Sequence, residues 1–206
     1  MQRPDTRHIK TISAIVLAAG ESKRMGRVKQ LLPFGDTTVL AVVMDSLARS
    51  TVNETILVLG SREEEIRSSL PVLPAKTIVN RSYREGMGSS IVSGMRAVSD
   101  DTDAVMIVLA DQPLIDATII DRLVEACRGS DRGIIVPCYG QKRGNPVIFD
   151  MKYRERLSAL QGDRGGRDIV RENSDDVLEV DIESEAVISD IDEEDEYRRQ
   201  LEKFDS

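Results

Sequence analysis

The sequence is poor in the residues on which many enzymes depend for their chemistry. Its 206 residues include two cysteines, one histidine and no tryptophan. Two cysteines cannot build a disulfide framework or a cysteine-rich zinc site. The single histidine, His8, lies near the start of the chain, which disfavours a histidine-based catalytic triad or metal cluster. We therefore expect a cytoplasmic protein whose activity needs neither cysteine nor histidine.

Long hydrophobic runs are also lacking. No apolar run approaches the about 18 residues that a membrane-spanning helix needs, so we expect no membrane partner. Basic residues followed by SAIVLAAG at 13–20 give the start of the chain a weak likeness to a signal peptide. That apolar run is short and leads into a basic loop, so we do not predict secretion.

The charge is unevenly distributed along the chain. The net charge is -8, but residues 174–206 hold 14 acidic and three basic residues, a net charge of -11, and the remaining residues carry +3. An acidic chain is not expected to bind nucleic acid in general, whereas a mildly basic body is compatible with a site for a small anion. We expect a tail at 1–10 and one domain at 11–206, whose acidic C-terminal segment, 174–206, ends in a solvated helix.

Short apolar runs alternate with segments that have helical periodicity. Several of these runs are continuous, as expected for strands that are buried on both faces of a parallel sheet. The strands are expected at 12–18, 55–60, 76–80, 104–110, 133–138, 145–150 and 177–182. The helices are expected from a Thr37 or Thr38 cap to about Arg49, from a Ser61 cap, from near Ser89, and from about Asp116 to Cys127. This alternation predicts an α/β fold with a Rossmann-like, doubly wound, mostly parallel sheet in a single domain.

Basic residues cluster in the loops that follow the predicted strands. Ligands of such sheets bind at the carboxyl ends of the strands, where glycines let backbone N–H groups approach phosphate oxygens. The spacing of Gly20 and Gly26 does not fit a Walker A motif, and GxGxxG is absent, which disfavours a P-loop NTPase and a Rossmann dehydrogenase. The loop cations are Lys23, Arg24, Arg27, Lys29, Arg81, Arg84, Lys142, Arg143, Arg164 and Arg167.

One strand end carries a lone carboxylate instead. Asp111 follows the most apolar run, in the sequence ADQP. Mg²⁺ is typically held by one or two carboxylates together with substrate phosphates and water, so Asp111 is a candidate Mg²⁺ ligand. The alternative is that Asp111 only caps the turn before Pro113.

Six segments, taken in order, resemble the motifs of the MobA-like nucleotidyltransferases, most closely those of the molybdenum cofactor cytidylyltransferase subfamily. The resemblance covers about residues 12–197 and implies the fold of the nucleotide-diphospho-sugar transferases. The segments are LAAGESKRMGRVKQLLPFG at 17–35, GMGSSIVSGM at 86–95, ADQP at 110–113, RGNPVIF at 143–149, GDRGGR at 162–167 and DIDEEDEY at 190–197.

The resemblance implies a reaction and a set of site residues. An acceptor phosphate would attack the α-phosphorus of CTP, so that CMP is joined to the terminal phosphate of molybdopterin and pyrophosphate leaves. Arg24, Lys29 and Asp111 would be catalytic, and Mg²⁺ would bind Asp111 and Asp192. The nucleotide would be bound by Leu17, Ala18, Ala19, Gly20, Ser22, Arg24, Lys29, Met87, Gly88, Ser89, Ser90 and Asp111. The acceptor would be bound by Arg143, Asn145, Gly162, Asp163, Arg164 and Arg167.

Several alternatives remain open at this point. Ala19 and Ser22 favour CTP, whereas guanylyl-transferring relatives have a different first motif, so a guanylyltransferase is the first alternative. A transferase for another small phosphorylated acceptor is the second. The third is a non-catalytic chaperone that carries the cofactor to a molybdoenzyme, and a molybdoenzyme or its chaperone is also the expected recipient of the product.

Overall fold

The computed structural model describes residues 9–22, 25–70 and 76–204. Within these ranges strands and helices alternate, as the sequence predicts. The strands are β1 (Ile12–Ala18), β2 (Pro33–Phe34), β3 (Thr37–Thr38), β4 (Glu54–Leu59), β5 (Lys76–Val79), β6 (Ala104–Leu109), β7 (Ile134–Tyr139), β8 (Lys142–Arg143), β9 (Val147–Asp150) and β10 (Val177–Asp181). The helices are α1 (Val39–Arg49), α2 (Glu63–Ser69), α3 (Met87–Met95), α4 (Ala117–Gly129), α5 (Arg154–Ser158), α6 (Arg167–Glu172) and α7 (Glu194–Phe204).

The main sheet is mostly parallel, which confirms the predicted fold class. Its strand order is β10-β7-β9-β6-β1-β4-β5, and β8 pairs with β7. β1 pairs in parallel with both β4 and β6, β4 pairs in parallel with β5, and β10 with β7. β9 runs antiparallel to β6 and β7. The strands predicted from the seven apolar runs therefore all belong to one sheet.

The central strand β1 is covered on both faces, which explains its continuous apolar sequence. Ala14 packs on one side in a cluster with Leu40 of α1 and Leu123 of α4. Ile15 packs on the opposite side with Ile91 of α3. All five side chains have no exposed surface. The helices on the two faces thus hold β1 rigidly, and its carboxyl end fixes the position of the loop that follows.

The starts of α1 and α4 agree with the sequence predictions. The side chain of Thr38 accepts a hydrogen bond from the N–H of Ala41, and that of Asp116 accepts one from the N–H of Ile119. Such caps satisfy backbone donors that have no partner within the helix.

The predicted cap of α2 is wrong. Arg62, not Ser61, precedes the helix, with a left-handed φ of 59° and no side-chain hydrogen bond to the first turn. The N–H of Ser61 donates instead to the carbonyl oxygen of Ala19 at 3.1 Å. This bond holds Ser61 in the turn after β4, one residue too early to cap the helix.

Helix α3 begins two residues before Ser89, the predicted start. Gly86 precedes it with a φ of 103°, a conformation that favours glycine, and lets the chain turn there. The N–H of Met87 then donates to the carboxylate of Asp163 at 3.3 Å. This partner lies far away in the sequence, so the local pattern did not reveal the earlier start.

The acidic segment 174–206 divides into several elements. It includes β10, ends in the largely exposed helix α7, and brings the residues between them to the carboxyl end of the sheet. The expected tail at 1–10 lies mostly outside the described residues, as does His8. In the ranges that the structure describes, no helix has the length and apolar character needed to cross a membrane.

Candidate functional site

A polar cleft lies where β1 and β6 end, as expected for a parallel sheet. Its volume is about 650 Å³. Its walls come from five parts of the chain: the end of β1, the loop that follows β1 (the first loop), the start of α3, the end of β6 and the DIDEEDEY segment at 190–197 (the final motif). The residues that line it are Leu17, Ala19, Gly20, Glu21, Ser22, Met25, Lys29, Gln30, Tyr83, Arg84, Gly86, Met87, Ser90, Leu109, Ala110, Asp111, Asp163, Arg167, Asp190 and Asp192.

An ammonium group and two carboxylates meet inside this cleft. Lys29 Nζ donates to Oδ2 of Asp111 in a short contact and to Oδ1 of Asp192 at 3.2 Å. The side chains of Lys29 and Asp111 are only 15% and 14% exposed. Burial alone would lower the pKa of Lys29, but the two carboxylates outweigh it and raise that pKa. The lysine is therefore held in its charged form.

The first loop fixes the backbone of Lys29. Ser22 adopts a left-handed φ of 52° and places its hydroxyl against the turn that contains Lys29. This hydroxyl accepts a hydrogen bond from the N–H of Lys29 at 3.2 Å and donates to Oε1 of Gln30 at 3.3 Å. Ser22 lines the cleft, and its hydroxyl positions the lysine.

The two carboxylates come from segments that are far apart in sequence. Asp111 follows the buried strand β6, and its carbonyl oxygen accepts a hydrogen bond from the N–H of Ile191 at 3.0 Å. Glu196 Oε2 accepts hydrogen bonds from the N–H groups of Asp192 and Glu193, each at 2.9 Å. The final motif is thereby tied both to Asp111 and to the start of α7.

Asp190 and Glu196 are site residues that the sequence analysis did not single out. Asp190 lines the cleft, where burial raises the pKa of its carboxyl and the negative charges of Asp111 and Asp192 raise it further. Both residues lie within the DIDEEDEY motif. The motif was the signal in the sequence that could have pointed to these two residues. Which of its acidic residues face the cleft, however, depends on how the chain turns into α7.

The carboxylates of Asp111 and Asp192 could hold a divalent cation. Oδ1 of Asp111 is buried and has no hydrogen-bond partner among the described residues, so an acceptor oxygen is available there. In the parts of the chain that the structure describes, no group of three or more His, Cys, Asp or Glu is arranged to hold a metal ion. A pair of carboxylates suits Mg²⁺, which takes its remaining ligands from phosphates and water.

The four nucleotide-binding residues predicted at 87–90 do not all face the cleft. Met87 and Ser90 line it. The N–H of Gly88 donates to the carbonyl oxygen of Gly162 at 2.8 Å, and the hydroxyl of Ser89 lies in the turn before α3, 2.8 Å from the carbonyl oxygen of Gly86. The bond from Gly88 to Gly162 thus joins the start of α3 to the loop that carries Asp163, whereas Ser89 holds the turn before the helix.

A second pocket, of about 300 Å³, lies beside the polar cleft. Met87, Leu109 and Arg167 line both cavities. The apolar lining of the second pocket includes Ile91, Ile107, Val136, Val147, Phe149 and Val170. Arg143, Asn145, Gly144, Arg164, Gly166 and Arg171 complete it. Among its arginines, Arg143 pairs with Glu179 at 2.7 Å and Arg171 with Asp168 at 2.8 Å. This pocket can therefore take an apolar or aromatic group, and a negative charge on that group would compete with these carboxylates for the arginines.

The predicted site residues mostly converge on these two cavities. The polar cleft collects Leu17, Ala19, Gly20, Ser22, Lys29, Met87, Ser90, Asp111, Asp163, Arg167 and Asp192, and the second pocket collects Arg143, Asn145, Arg164 and Arg167. Ala18 is fully buried and lines neither cavity. Arg24 lies outside the described residues.

Comparison with known proteins gives a family match and several relatives of similar length. Residues 14–177 match the model of the MobA-like NTP transferase domain. A crystal structure of Rv0371c from Mycobacterium tuberculosis H37Rv superposes with a TM-score of 0.86 and 29% identity, over 95% of this chain and 100% of that chain. A crystal structure of the same protein in complex with manganese has a TM-score of 0.81 and 28% identity, over 94% of this chain and 99% of that chain.

Two curated relatives carry names of different reaction classes. Nicotine blue oxidoreductase of Paenarthrobacter nicotinovorans is 28% identical over 199 residues, which is 92% of this chain and 96% of the relative. A probable molybdenum cofactor guanylyltransferase of Mycobacterium ulcerans is 28% identical over 155 residues, which is 73% of each chain.

Proposed function

The chain belongs to the MobA-like NTP transferase family, and we propose that it transfers CMP from CTP to the terminal phosphate of molybdopterin with release of pyrophosphate. The observation that carries the proposal is the pair of adjoining cavities. A polar cleft with a lysine and two carboxylates lies beside an apolar pocket that is lined by arginines. One cavity suits a nucleoside triphosphate, and the other suits a flat acceptor that bears a phosphate.

The residues of the polar cleft have distinct roles in this proposal. The backbone at Ala19 and Gly20 holds the nucleotide, together with Met87 and Ser90 at the start of α3. Lys29, with Arg24, neutralises the triphosphate. Phosphoryl-type transfer depends mainly on positioning and charge neutralisation, so no nucleophilic side chain is needed. The carboxylates of Asp111 and Asp192 would hold Mg²⁺, which when bound supplies positive charge to the phosphate oxygens.

The acceptor residues lie on the other side of Arg167. Arg143 and Arg164 line the apolar pocket, and Arg167 lines both cavities. A guanidinium group binds phosphate with two parallel hydrogen bonds, which fixes the direction as well as the position of the bound group. Arg167 is therefore the residue that would bring the acceptor phosphate next to the α-phosphate of the nucleotide.

The manganese complex of Rv0371c and the guanylyltransferase relative bear on the finer points. The manganese complex supports binding of a divalent cation by a protein of this fold. The guanylyltransferase relative supports the molybdenum cofactor as the acceptor. It also makes GTP the main rival of CTP as the nucleotide. Ala19 and Ser22 favour CTP. A chaperone without catalysis and a transferase for another phosphorylated acceptor remain the further rivals.

A panel assay tests the proposal. Pyrophosphate release is measured with each of the four NTPs, with and without Mg²⁺, and with molybdopterin or other phosphorylated acceptors. We expect release only with CTP, Mg²⁺ and molybdopterin together. Equal release with GTP would overturn the base assignment, and release with a phosphosugar instead would overturn the acceptor. Tight cofactor binding without any pyrophosphate would favour the chaperone.

A redox reaction is the second candidate function, because the Paenarthrobacter relative named nicotine blue oxidoreductase matches nearly the whole chain. The first loop lacks GxGxxG, and its lysine faces two carboxylates in a cleft suited to a triphosphate. These features favour nucleotidyl transfer. If no NTP supports pyrophosphate release, reduction of nicotine blue by the same preparation would instead assign the redox class.

A further inference from the structure

Lys29 occupies one oxygen of each of the two carboxylates that a divalent cation would need. Its ammonium contacts Oδ2 of Asp111 and Oδ1 of Asp192, and it is largely buried between them. Under the proposed function these same carboxylates bind the metal. The ammonium group and the metal ion therefore compete for the same negative charges.

The charge balance makes this competition strong. Asp111, Asp192 and Lys29 together carry a single net negative charge, and the carboxyl of Asp190 lines the same cleft. A divalent cation that entered beside the ammonium would face a positive charge at short range, and such repulsion is weakly screened where side chains are buried. Binding of the metal is thus more favourable when the Lys29 side chain moves away.

The side chain can move although its backbone is fixed. The hydroxyl of Ser22 holds the N–H of Lys29, and Lys29–Leu31 forms a tight turn. The lysine side chain beyond this anchor is a flexible four-carbon chain with a point charge at its end. Gly20 and Ser22 line the same cleft, so a triphosphate bound there lies along the wall from which Lys29 extends.

We propose that Lys29 blocks the carboxylate pair of Asp111 and Asp192 until a nucleoside triphosphate draws its ammonium away, so that nucleotide and divalent cation bind with positive coupling. The inference rests on the proposed metal role of the two aspartates. The phosphates offer the ammonium a replacement anion, and the carboxylates are then free for the metal. Since coupling is reciprocal, the metal also strengthens binding of the nucleotide.

Binding of Mn²⁺ to the nucleotide-free protein tests this inference. Electron paramagnetic resonance measures unbound Mn²⁺ during titration of the wild type, Lys29→Gln and Lys29→Met. We expect each variant to bind Mn²⁺ about tenfold or more tightly than the wild type, within the usual range of coupling between sites. Two neutral substitutions are used so that a folding defect in one does not decide the result, and circular dichroism checks the fold of both.

Two further variants serve as controls. Lys76→Gln removes a lysine that pairs with Glu54 at 2.5 Å, at the opposite end of the sheet, and should leave Mn²⁺ affinity unchanged. Lys29→Gln combined with Asp111→Asn should lose the gain, because the carboxylate that was released is no longer present. Mn²⁺ should also raise the melting temperature of Lys29→Gln more than that of the wild type.

Equal or weaker Mn²⁺ binding by both Lys29 variants would overturn the inference. Pyrophosphate release is measured separately, so the two proposals can fail independently. Metal-dependent release of pyrophosphate together with equal Mn²⁺ affinities would overturn only the blocking role of Lys29. A gain in affinity without pyrophosphate release from any NTP would support the blocking role and overturn the proposed reaction.

Discussion

Lys29 is the side chain through which the first loop and the final motif meet. Its ammonium contacts one carboxylate that follows β6 and another that precedes α7. Asp111 is predicted as a metal ligand already from its position at the end of an apolar strand, whereas the roles of Lys29 and Asp192 are implied by the motif resemblance. Their convergence on one point in the cleft is a property of the fold, since 82 residues separate Lys29 from Asp111.

Lys29→Gln is expected to lower kcat/KM for the nucleotide about tenfold to more than a hundredfold. A charge-assisted hydrogen bond contributes about 1.5–3 kcal/mol, which corresponds to that range of rates. Steady-state release of pyrophosphate measures the effect. The matched variant Lys76→Gln should keep the wild-type rate, and a similar loss in that variant would point to a general effect of removing a lysine.

Asp176 provides a test of pH dependence away from the cleft. Burial alone would raise its pKa, but hydrogen bonds from Lys152, from the hydroxyl of Tyr153 and from the N–H of Gly133 lower it from 3.8 to about 2. The folded-state pKa lies below the unfolded value, so this stabilisation is complete above about pH 4 and is lost as the pH falls towards 2.

Asp176→Asn should therefore reduce the free energy of unfolding at pH 7 by about 2 kcal/mol and flatten its decline between about pH 4 and pH 2. Urea denaturation at a series of pH values measures both effects. Asp175→Asn, which removes the same charge one position earlier, should change little. An unaltered pH profile in Asp176→Asn would contradict the assigned hydrogen bonds.

At the level of elements, two helix starts determine the shape of the cleft. Helix α3 meets the loop around Asp163 at Gly86, and helix α7 begins where Glu196 binds the backbone of Asp192. Helix α7 also contacts β2, because the hydroxyl of Tyr197 donates to the carbonyl oxygen of Pro33 at 2.6 Å. The walls of the cleft therefore depend on contacts between segments that are remote in sequence.

Gly86→Ala should disrupt the start of α3. Gly86 has a φ of 103°, and a Cβ there would lie 2.5 Å from Oδ1 of Asp163. We expect the free energy of unfolding to fall by about 1–3 kcal/mol and KM for the nucleotide to rise, since Met87 and Ser90 line the cleft. Chemical denaturation and the pyrophosphate assay measure these changes.

Gly129→Ala is the matched control for Gly86→Ala. Gly129 ends α4, and a Cβ there would meet nothing within 4 Å, so this variant should be as stable as the wild type or slightly more stable. Wild-type stability and KM in Gly86→Ala would show that the cleft does not need this backbone conformation.

Glu196→Ala should weaken both α7 and the metal site. The variant leaves the N–H groups of Asp192 and Glu193 without their carboxylate acceptor. Loss of such a helix cap lowers the free energy of unfolding by about 1 kcal/mol. The Mg²⁺ concentration for half-maximal activity should rise several-fold, because Asp192 is no longer held in place. Asp195→Ala removes one charge from the same turn and should leave the Mg²⁺ requirement close to that of the wild type. An equal rise in both variants would indicate that only the charge of the turn matters.

At the level of the whole molecule, the continuous apolar runs were sufficient to predict the sheet. They could not predict that β9 runs antiparallel, because a strand that is buried on both faces has the same apolar character in either direction. The roles of individual serines and glycines in the binding motifs were predicted less well than the strands. Gly88 and Ser89 belong to the recognised motif, but neither lines the cleft. The N–H of Gly88 donates to the carbonyl oxygen of Gly162, and the hydroxyl of Ser89 donates to that of Gly86.

The two cavities could not have been separated from sequence alone. The sequence predicts Lys29, Arg143 and Arg164 alike as cations of strand-end loops. Only the fold shows that Lys29 faces carboxylates whereas Arg143 and Arg164 line an apolar pocket. Under the proposed function, this separation keeps the nucleotide and acceptor apart except where Met87, Leu109 and Arg167 line both cavities.

Transfer of label from CTP to the acceptor tests the central claim most directly. The protein is incubated with Mg²⁺, molybdopterin and CTP labelled at the α-phosphate, and the label is followed in parallel in wild type and Asp111→Asn. We predict that the wild type moves the label to molybdopterin with an equal amount of pyrophosphate, and that Asp111→Asn is about 100-fold slower or more with an unchanged circular dichroism spectrum. Label that stays in the nucleotide with the wild type, or moves equally fast with Asp111→Asn, would contradict the account.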